Sequence, residues 1–216
     1  MSVEAGRMRR LIEDLLSLTR IELNEHVRPS VRVSLDTILR EAIAALSPLA
    51  QMDGITLALD AATGLPPVMG ERDELIQLFQ NLIHNAIKYG KSGGHVWVSI
   101  HPAPASGGRG VEAMLAVAIR DDGEGIATDA IPRLTERFYR VDVKRSREKG
   151  GTGLGLAIVK HIVNRHQGRM TIESKSGRAA RLPCCSPRRP RKPKFFPTRL
   201  SHNCYKTVAY PCGRQL

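Results

Sequence analysis

The first 177 residues of this chain contain no cysteine, and residues 178–216 contain no acidic residue. No apolar run approaches the roughly 18 residues that a membrane-spanning helix needs, and the amino-terminal residues lack the apolar stretch of a secretory signal. These absences argue against a membrane-embedded or secreted chain, so we expect it to be cytoplasmic. With 42% hydrophobic and 25% charged residues, 216 residues can form one domain of ordinary size with a smaller appendage.

The net charge of +12 is concentrated at one end of the chain. Ten of the 33 lysines and arginines lie in residues 178–216, so residues 1–177 have 23 basic against 21 acidic residues, a net charge of only +2. All four cysteines lie in residues 178–216 as well, without the paired C-x-x-C spacing of a zinc site. The composition therefore predicts a nearly neutral body joined to a separate basic tail.

The residues near the amino terminus carry an apolar stripe of helical period. Met8, Leu11, Leu15 and Leu18 recur at intervals of three or four residues. Such a stripe suits a helix bundle or a helical dimer partner, because a lone helix of this size is marginal in water. The alternative is a helix that folds back on its own domain.

Further patterns predict a mixed α/β body. Helical periods predict helices over residues 35–46, ending before Pro48, and over 71–89 and 154–165. Residues 64–70 are typical of a loop. Alternation predicts strands at residues 31–33, 54–60, 95–100, 114–120 and 169–174. The central strand pair has an antiparallel pattern, so we expect one mixed sheet covered by helices on one face, a two-layer α/β sandwich.

The predicted helix over residues 71–89 carries two asparagines on one face. Asn81 and Asn85 lie one turn apart, and Lys88 and Tyr89 extend the same face. Asparagine is a poor residue for a helix interior, so this pair indicates an amide row at the edge of the core. Amide oxygens can bind Mg²⁺. Two solvated asparagines are an equally weighted alternative.

A carboxylate pair ends the strand predicted over residues 114–120. The stretch IRDDGEGI places Asp121 and Asp122 before Gly123, Gly125 and Ile126. A carboxylate at a strand end can accept a hydrogen bond from an exocyclic amine, while bare glycine backbone lets a planar ring approach. Taken alone, an Asp-Gly turn is the simpler interpretation.

Residues 150–162, with the sequence GGTGLGLAIVKHI, place four glycines before a predicted helix. Leu156 or Ile158 stands where a dinucleotide motif needs its third glycine, and no P-loop sequence is present. Four basic residues between 144 and 149 lead into a helix amino terminus with bare amides, which suits phosphate oxygens. Glycines on both sides also suit a lid that closes over a ligand.

The order and spacing of these motifs resemble those of bacterial sensor histidine kinases. NLIHNAIKYG resembles their N box, DDGEGI and GGTGLGLAIVKHIV their two glycine boxes, and ERFYRVD the phenylalanine box between them. RMRRLIEDLLSLTRIE resembles the second helix of their dimerisation domain, and IPRLTERFYRVDVKRS is most similar to the phosphate-regulon sensor kinases. The resemblance covers residues 4–177. It implies the histidine kinase/gyrase-type ATPase fold, preceded by one dimerisation helix.

The resemblance implies ATP and Mg²⁺ as cofactors and a role for each motif. Asn85 would bind Mg²⁺ with Asn81 alongside, and Lys88 would face the phosphates; these three are the predicted catalytic residues. Asn81 also takes the place of an acidic residue that activates water in gyrase-type relatives, which favours phosphotransfer over hydrolysis. Asp121 would bind the adenine amine. The other predicted nucleotide contacts come from the same motifs: Tyr89, Gly123, Gly125, Ile126, Phe138, Arg140, Gly151, Thr152, Gly153, Leu154 and Gly155.

Two features of the family pattern are missing. The family's phosphoacceptor lies in an H-E-x-x-x-P setting, and none of the histidines at 26, 84, 95, 101, 161, 166 and 202 fits that pattern. Residues 1–25 resemble only the second dimerisation helix, so we expect a truncated domain without the acceptor. After residue 177 the family's final strand is replaced by an Arg-, Pro- and Cys-containing stretch without alternation.

The change of composition near residue 178 favours a disordered or frameshifted tail over residues 178–216. Translation of a GC-rich gene in the wrong frame would produce such a stretch, and reading the coding DNA in the other two frames tests this hypothesis. A genuine basic tail for nucleic acid or anionic lipid is the alternative.

The sequence therefore predicts the ATP-binding catalytic region of a protein-histidine kinase in a two-component system, with residues 30–177 as the catalytic domain. The implied partners are a response regulator and a dimerisation/phosphoacceptor domain, as a homodimer in a parent anchored in the inner membrane. A nucleic-acid partner is not expected. The alternatives are an inactive remnant or interaction module whose lost strand prevents stable folding, and a nucleic-acid-binding protein that acts through the tail.

Overall fold

A five-stranded mixed sheet with helices against one face organises the chain, and the computed structural model describes residues 3–103, 114–141, 151–174 and 204–211. The helices are α1 (Val3–Leu23), α2 (Leu35–Met52), α3 (Arg72–Tyr89) and α4 (Gly155–Arg165). The strands are β1 (Arg32–Val33), β2 (Thr56–Ala61), β3 (Val68–Met69), β4 (His95–Ala103), β5 (Met114–Asp121), β6 (Arg169–Ser174) and β7 (Cys204–Pro211). A 3₁₀ turn covers Ile131–Arg133.

The large sheet has the strand order β2-β4-β5-β7-β6. Strands β2 and β4 run parallel, and every other neighbouring pair is antiparallel. Side chains alternate across β4 and β5, so Val96, Val98, Val117 and Ile119 are buried beneath the helices. The predicted two-layer α/β sandwich with an antiparallel central pair is confirmed. Strands β1 and β3 form a separate antiparallel pair, so the prediction of a loop over residues 64–70 is wrong at Val68–Met69.

The sequence analysis did not predict strand β7. It pairs with β5 on one side and β6 on the other. Val208 and Tyr210 lie almost fully buried on its helix-facing side, and the Tyr210 ring meets Phe79 edge-on at 6.3 Å between centroids. The prediction of a disordered tail is therefore wrong for residues 204–211. The rest of the tail lies outside the described residues, and its frameshift origin stays a prediction.

Helix α1 folds back on the domain through its carboxyl-terminal half. Leu18 and Ile21 are buried, and the helix contacts α4. A hydrogen bond of 2.7 Å joins His161 Nδ1 to Glu25 Oε2, and Glu22 pairs with Arg137. Several large apolar side chains of α1 remain exposed, namely Met8, Ile12, Leu15, Leu16 and Leu23. The alternative of a folded-back helix thus holds for one half, and a helical partner for the exposed stripe stays a prediction.

Helix α2 continues through Pro48, where the sequence analysis ended it. The helix runs to Met52. Leu49 packs against the core and Ala50 is buried, so the apolar stripe extends past the proline. An interior proline costs about 3 kcal/mol, and burial of a leucine-sized side chain contributes about 1.5–3 kcal/mol. The added burial therefore offsets much of the cost.

His166 connects the end of α4 to the start of α3. The residue is 3% exposed, its Nε2 accepts from the Glu71 N–H at 3.0 Å, and its Nδ1 lies 2.8 Å from the Ile162 carbonyl oxygen. This arrangement needs a neutral imidazole. Burial lowers the pKa of His166, and it does the same for His84, with the nearby Lys88 and Arg10 acting in the same direction.

We expect the domain to lose stability as the pH falls below about 6.5. Below this pH, His84 and His166 bind a proton in the unfolded chain but stay neutral in the folded chain. Each of them therefore lowers the free energy of unfolding by up to about 1.4 kcal/mol for each pH unit of acidification. Urea unfolding at pH 7.5, 6.5 and 5.5 measures this slope. His166→Asn should be less stable at pH 7.5 but show a smaller slope than the native chain. Equal slopes would contradict the assignment of His166 as a buried neutral group.

None of the helices in the described part of the chain combines the length and apolar character that crossing a membrane requires.

Candidate functional site

A cavity of about 630 Å³ opens between α3, the end of β5 and the amino terminus of α4. Its volume lies within the range of roughly 300–1,000 Å³ that holds small organic ligands. Most of the sequence-predicted site residues line it, and three do not: Gly123, Phe138 and Leu154. The cavity therefore brings together motifs that are widely separated in the sequence.

Helix α3 carries four of the sequence-predicted residues that line the cavity: Asn81, Asn85, Lys88 and Tyr89. The opposite face is buried in the core, so the helix can present these polar groups only toward the cavity. Both asparagines are half-buried, which fits an amide row at the edge of the core better than two solvated side chains. Lys88 is only 8% exposed, and its Nζ lies 5.2 Å from the centroid of the Tyr89 ring.

The end of β5 places Asp121 in the cavity at 4% exposure. Burial raises the pKa of this carboxyl group, and the positive charge of Lys206 opposes part of that rise. The Gly123 N–H donates to Asp121 Oδ1 at 3.0 Å, which fixes the carboxylate. A buried, oriented carboxylate of this kind is a strong acceptor for an amine of a bound ligand.

The adjacent Asp122 has a different role. Its two oxygens accept from the backbone N–H groups of Lys91 and His95, at 3.3 and 3.0 Å, and so hold the turn between α3 and β4. The strand alternation that turns Asp121 inward turns Asp122 outward. Of the carboxylate pair, Asp121 is the one available to a ligand.

Three glycines keep backbone close to the cavity. A side chain on Gly123 would lie 2.3 Å from the Tyr89 carbonyl oxygen, so Gly123 supports the wall although it does not line it. Gly125 lines the cavity beside Ile126 and has φ 81°, a conformation that favours glycine. A side chain on Gly155 would lie 3.0 Å from Asn81 Oδ1, so this glycine lets α4 approach the amide row.

Residues 138–140 are clamped to the glycine run. The Phe138 N–H donates to the Gly153 carbonyl at 2.9 Å, and Arg140 Nη2 donates to the Gly151 carbonyl at 2.6 Å. Both Phe138 and Gly153 have positive φ, at 61° and 80°. Phe138 itself is 55% exposed and does not line the cavity. The basic segment at 144–149 lies outside the described residues.

The amino terminus of α4 faces the cavity through Gly155. Its N-cap, Leu154, is buried in the core and makes no side-chain cap, so within the described residues the N–H groups of the first turn can donate to an anion. Thr152 lines the cavity, and its hydroxyl accepts from the Leu154 N–H at 3.3 Å.

The sequence analysis missed several cavity residues. On α3, Gln77, Gln80 and His84 share the face of the two asparagines, and helical spacing could have found them. From α1, Arg10 and Asp14 reach the cavity, and Thr152 Oγ1 donates to Asp14 Oδ2 at 2.6 Å across 138 residues of sequence. No local pattern signals that contact. Lys206 of β7 also lines the cavity, and it lies far from the other motifs in the sequence.

The donor set of the cavity suits a nucleoside triphosphate with Mg²⁺. In the described part of the chain, four cationic side chains line it, namely Arg10, Lys88, Arg140 and Lys206, and such groups pair with phosphate oxygens. Within the described residues, no cluster of three or more His, Cys, Asp or Glu side chains could hold a metal alone. The amide oxygens of the α3 face are hard donors of the kind Mg²⁺ accepts when phosphates and water complete its shell.

We expect Gly153→Ala to weaken nucleotide binding. An added Cβ would lie 3.0 Å from the Phe138 Cα at φ 80°, so the clamp between residues 138 and 153 would have to shift. A loss of about 1–2 kcal/mol corresponds to roughly 5–30-fold in affinity, measurable by calorimetry with ATP. Gly93→Ala is the matched control, because Gly93 has φ 69° with open space around it. It should lose stability yet keep its affinity, and equal affinity losses in both variants would contradict a specific role for Gly153.

The sequence and the fold were compared with known proteins. A profile described as histidine kinase-, DNA gyrase B- and HSP90-like ATPase matches residues 70–189. The chain is 36% identical over 188 residues to the phosphate regulon sensor protein PhoR of Pseudomonas aeruginosa, covering 85% of this chain and 40% of that protein. It is 37% identical over 177 residues to the sensor-like histidine kinase SenX3 of Mycolicibacterium smegmatis, covering 82% of this chain and 44% of that protein. The chain thus spans about two fifths of the length of these curated relatives.

Solved structures show the same fold. The crystal structure of full-length ShkA in complex with AMPPNP superposes with a TM-score of 0.67 at 24% identity, covering 96% of this chain and 36% of that one. The mycobacterial sensor histidine kinase MprB gives a TM-score of 0.58 at 21% identity, covering 84% of this chain and 96% of that one.

A helix-covered mixed sheet, with a cavity between an amide-bearing helix and a glycine-rich loop, defines a two-layer α/β domain of the ATPase type. The chain belongs to the family of histidine kinase-, DNA gyrase B- and HSP90-like ATPases. Within that family it is similar to the sensor histidine kinases named above, as the motifs of the sequence predict.

Proposed function

We propose that this chain is the ATP-binding catalytic region of a sensor histidine kinase that transfers the γ-phosphoryl group of ATP to a histidine. The observation that carries the proposal is the convergence of Asp121, the Asn81–Asn85 face and the glycine clamp at Gly153 on one cavity. Each of the three suits a different part of the nucleotide. The match of the ATPase family over residues 70–189 supports the same assignment.

Asp121 recognises the base in this proposal. Its carboxylate accepts a hydrogen bond from the exocyclic amine of adenine. Since Asp121 is almost fully buried, water competes little for that bond, which strengthens it. Gly125 leaves room for the flat ring to approach the backbone.

The opposite end of the cavity receives the phosphates. Lys88 and Arg140 offset their negative charge, and the open N–H groups at the start of α4 donate to their oxygens. The amide oxygen of Asn85 would hold Mg²⁺, with Asn81 alongside. When bound, Mg²⁺ supplies neutralisation of charge on the phosphate oxygens. The protein's own contribution is positioning and electrostatic stabilisation.

The nature of residue 81 favours phosphotransfer over hydrolysis. An amide cannot remove a proton from water, and Asn81 stands where the resemblance places an acidic residue in gyrase-type relatives. Asn81 instead faces the cavity beside Gly155. The described part of α3 therefore presents no carboxylate to the cavity for activating water.

The phosphoacceptor is proposed to lie on a dimerisation domain that is not part of these 216 residues, because no histidine here fits the acceptor pattern. From that histidine the phosphoryl group would pass to a response regulator. We infer further that the parent is a homodimer anchored in the inner membrane, with this region in the cytoplasm. The exposed apolar stripe of α1 supports a helical partner.

Transfer in trans tests the proposed function. The chain is incubated with γ-labelled Mg-ATP and a separately prepared dimerisation domain from a related kinase. We expect acid-labile label on the acceptor histidine of the added domain. No label should appear without that domain, with its acceptor replaced by alanine, or with Asn85→Ala. If the chain binds ATP but transfers no label, it is a nucleotide-binding module and the proposed phosphotransfer is contradicted.

A further inference from the structure

Lys206 is a buried lysine in an otherwise apolar row. On β7 the helix-facing positions are Lys206, Val208 and Tyr210, and all three are at most 4% exposed. Lysine is seldom buried without a charged or polar partner, because removing its ammonium group from water is costly. The residue also lies beyond the range 70–189 that the family profile matches, and it belongs to none of the sequence motifs described above. Its burial therefore calls for a specific partner.

The sheet register places Lys206 diagonally opposite Asp121. Lys206 pairs with Ile119, and Asp121 pairs with Cys204, so the two charged side chains lie on the same face two residues apart across neighbouring strands. Both line the same cavity. The positive charge of Lys206 also acts on Asp121 by lowering its pKa against the larger effect of burial. A donor and an acceptor thus stand side by side where the proposed function places the base.

The edge of adenine has the matching pattern. Its exocyclic N6 amine donates, and the neighbouring ring nitrogen N1 accepts. An ammonium group only donates and a carboxylate only accepts, so Asp121 matches N6 and Lys206 matches N1. Guanine has the reverse order, with an acceptor at O6 and a donor at N1. In the same pose guanine would place its O6 acceptor against the Asp121 carboxylate and its N1 donor against the Lys206 ammonium group. A buried site discriminates strongly against such mismatched pairs.

We propose that Lys206 is a specificity-determining residue that donates a hydrogen bond to N1 of adenine, so that the Asp121–Lys206 pair selects ATP over GTP. This inference rests on the proposed function, since it concerns the same cavity. The competing role for Lys206 is that of a structural counter-ion, which would keep Asp121 charged without contacting the nucleotide.

A nucleotide cycle separates these two roles. Calorimetry compares ATP with 1-deaza-ATP, which lacks the N1 acceptor, on the native chain and on Lys206→Met. We expect the deaza analogue to bind the native chain about 10-fold or more weakly, as for loss of a charge-assisted hydrogen bond. On Lys206→Met the two nucleotides should bind within about 2-fold of each other, and the preference for ATP over GTP should narrow. Lys160→Met, at an exposed position of α4, is the control and should keep the native pattern.

The native chain alone gives a second test that needs no variant to fold. ATP, 1-deaza-ATP and 7-deaza-ATP are compared, and only loss of N1 should weaken binding. Equal binding of all three, or the same 1-deaza penalty on native chain and Lys206→Met, would overturn the proposal for Lys206. Failure of ATP itself to bind the native chain would instead overturn the proposed function, so the two failures are distinguishable.

Discussion

Replacing Asn85 by alanine is expected to reduce the affinity for Mg-ATP by more than about 100-fold, below detection in a calorimetric titration at micromolar protein. The substitution removes the amide oxygen proposed to bind Mg²⁺. It leaves Lys88 and the α4 amino terminus facing phosphates whose charge is no longer balanced by the metal. Asn85 is half-buried on the polar face of α3, so alanine removes no core contact. The loss should therefore appear in affinity and not in the melting temperature without nucleotide.

Two controls make the metal assignment specific. Asn164→Ala replaces an exposed asparagine of α4 that pairs with Glu25 and should bind Mg-ATP like the native chain. Removal of Mg²⁺ with a chelator should lower the native affinity toward that of Asn85→Ala, while the variant should respond little. An Asn85→Ala chain with native affinity would refute the role of Asn85.

Replacing Asp121 by asparagine is expected to weaken ATP binding by about 10- to 100-fold. A hydrogen bond to a charged group is worth about 1.5–3 kcal/mol, and the asparagine amide would also direct a donor at the donating amine of adenine. Asp122→Asn is the matched control one residue along. Since Asp122 only holds the turn before β4, its variant should melt at a lower temperature but bind ATP within about 2-fold of the native chain.

The advantage of the native chain over Asp121→Asn should depend on pH. Burial raises the pKa of Asp121 above its ordinary value of 3.8. As the pH falls, Asp121 is therefore protonated at a higher pH than an exposed aspartate would be, and it then no longer accepts a hydrogen bond as a carboxylate. The affinity ratio of native chain to variant should shrink toward one through that raised pKa. Because both proteins bind the same nucleotide, the effect of protonation of the nucleotide itself cancels in this ratio. An affinity ratio that stays constant down to pH 4 would contradict the prediction.

Much of the fold could be predicted because its signals are local. The apolar period of α3 and the alternation of β4 and β5 each fall within one continuous segment, and the structure has these elements within a few residues of the expected bounds. Helix α2 shows the limit of local signals. Pro48 normally ends a helix, but the packing of the turn beyond it against the core is a tertiary effect that the residues around Pro48 do not reveal.

Strand β7 shows a second limit. Its residues follow a long Arg- and Pro-containing stretch. The composition of that stretch favoured a tail, so the alternating residues Lys206, Val208 and Tyr210 were not recognised as a strand. The strand fits because β5 and β6 offer it two antiparallel neighbours, which no property of residues 204–211 indicates. The alternative of a remnant that lacks its last strand loses its premise, since the described sheet is continuous from β2 to β6.

The candidate site was predictable to the extent that its residues belong to motifs. Asp121, Asn85 and Gly153 each sit in a distinctive short stretch, and all three line the cavity. Arg10 and Asp14 also line the cavity, but they belong to no such motif. They reach the cavity only through the packing of α1 on α4. The hydrogen bond from Thr152 to Asp14 joins the glycine run to α1, so the position of that helix affects the cavity mouth.

Hydrogen–deuterium exchange with and without a non-hydrolysable ATP analogue and Mg²⁺ tests the central claim most directly, because it reports both binding and its location. We predict slower exchange in peptides covering residues 121–126 and 151–158, and no change in β2 at the far edge of the sheet. Asn85→Ala should show neither effect at the same nucleotide concentration. Saturable binding that leaves both peptides unprotected, or protection confined to residues 178–216, would contradict the assignment of this cavity as the ATP site.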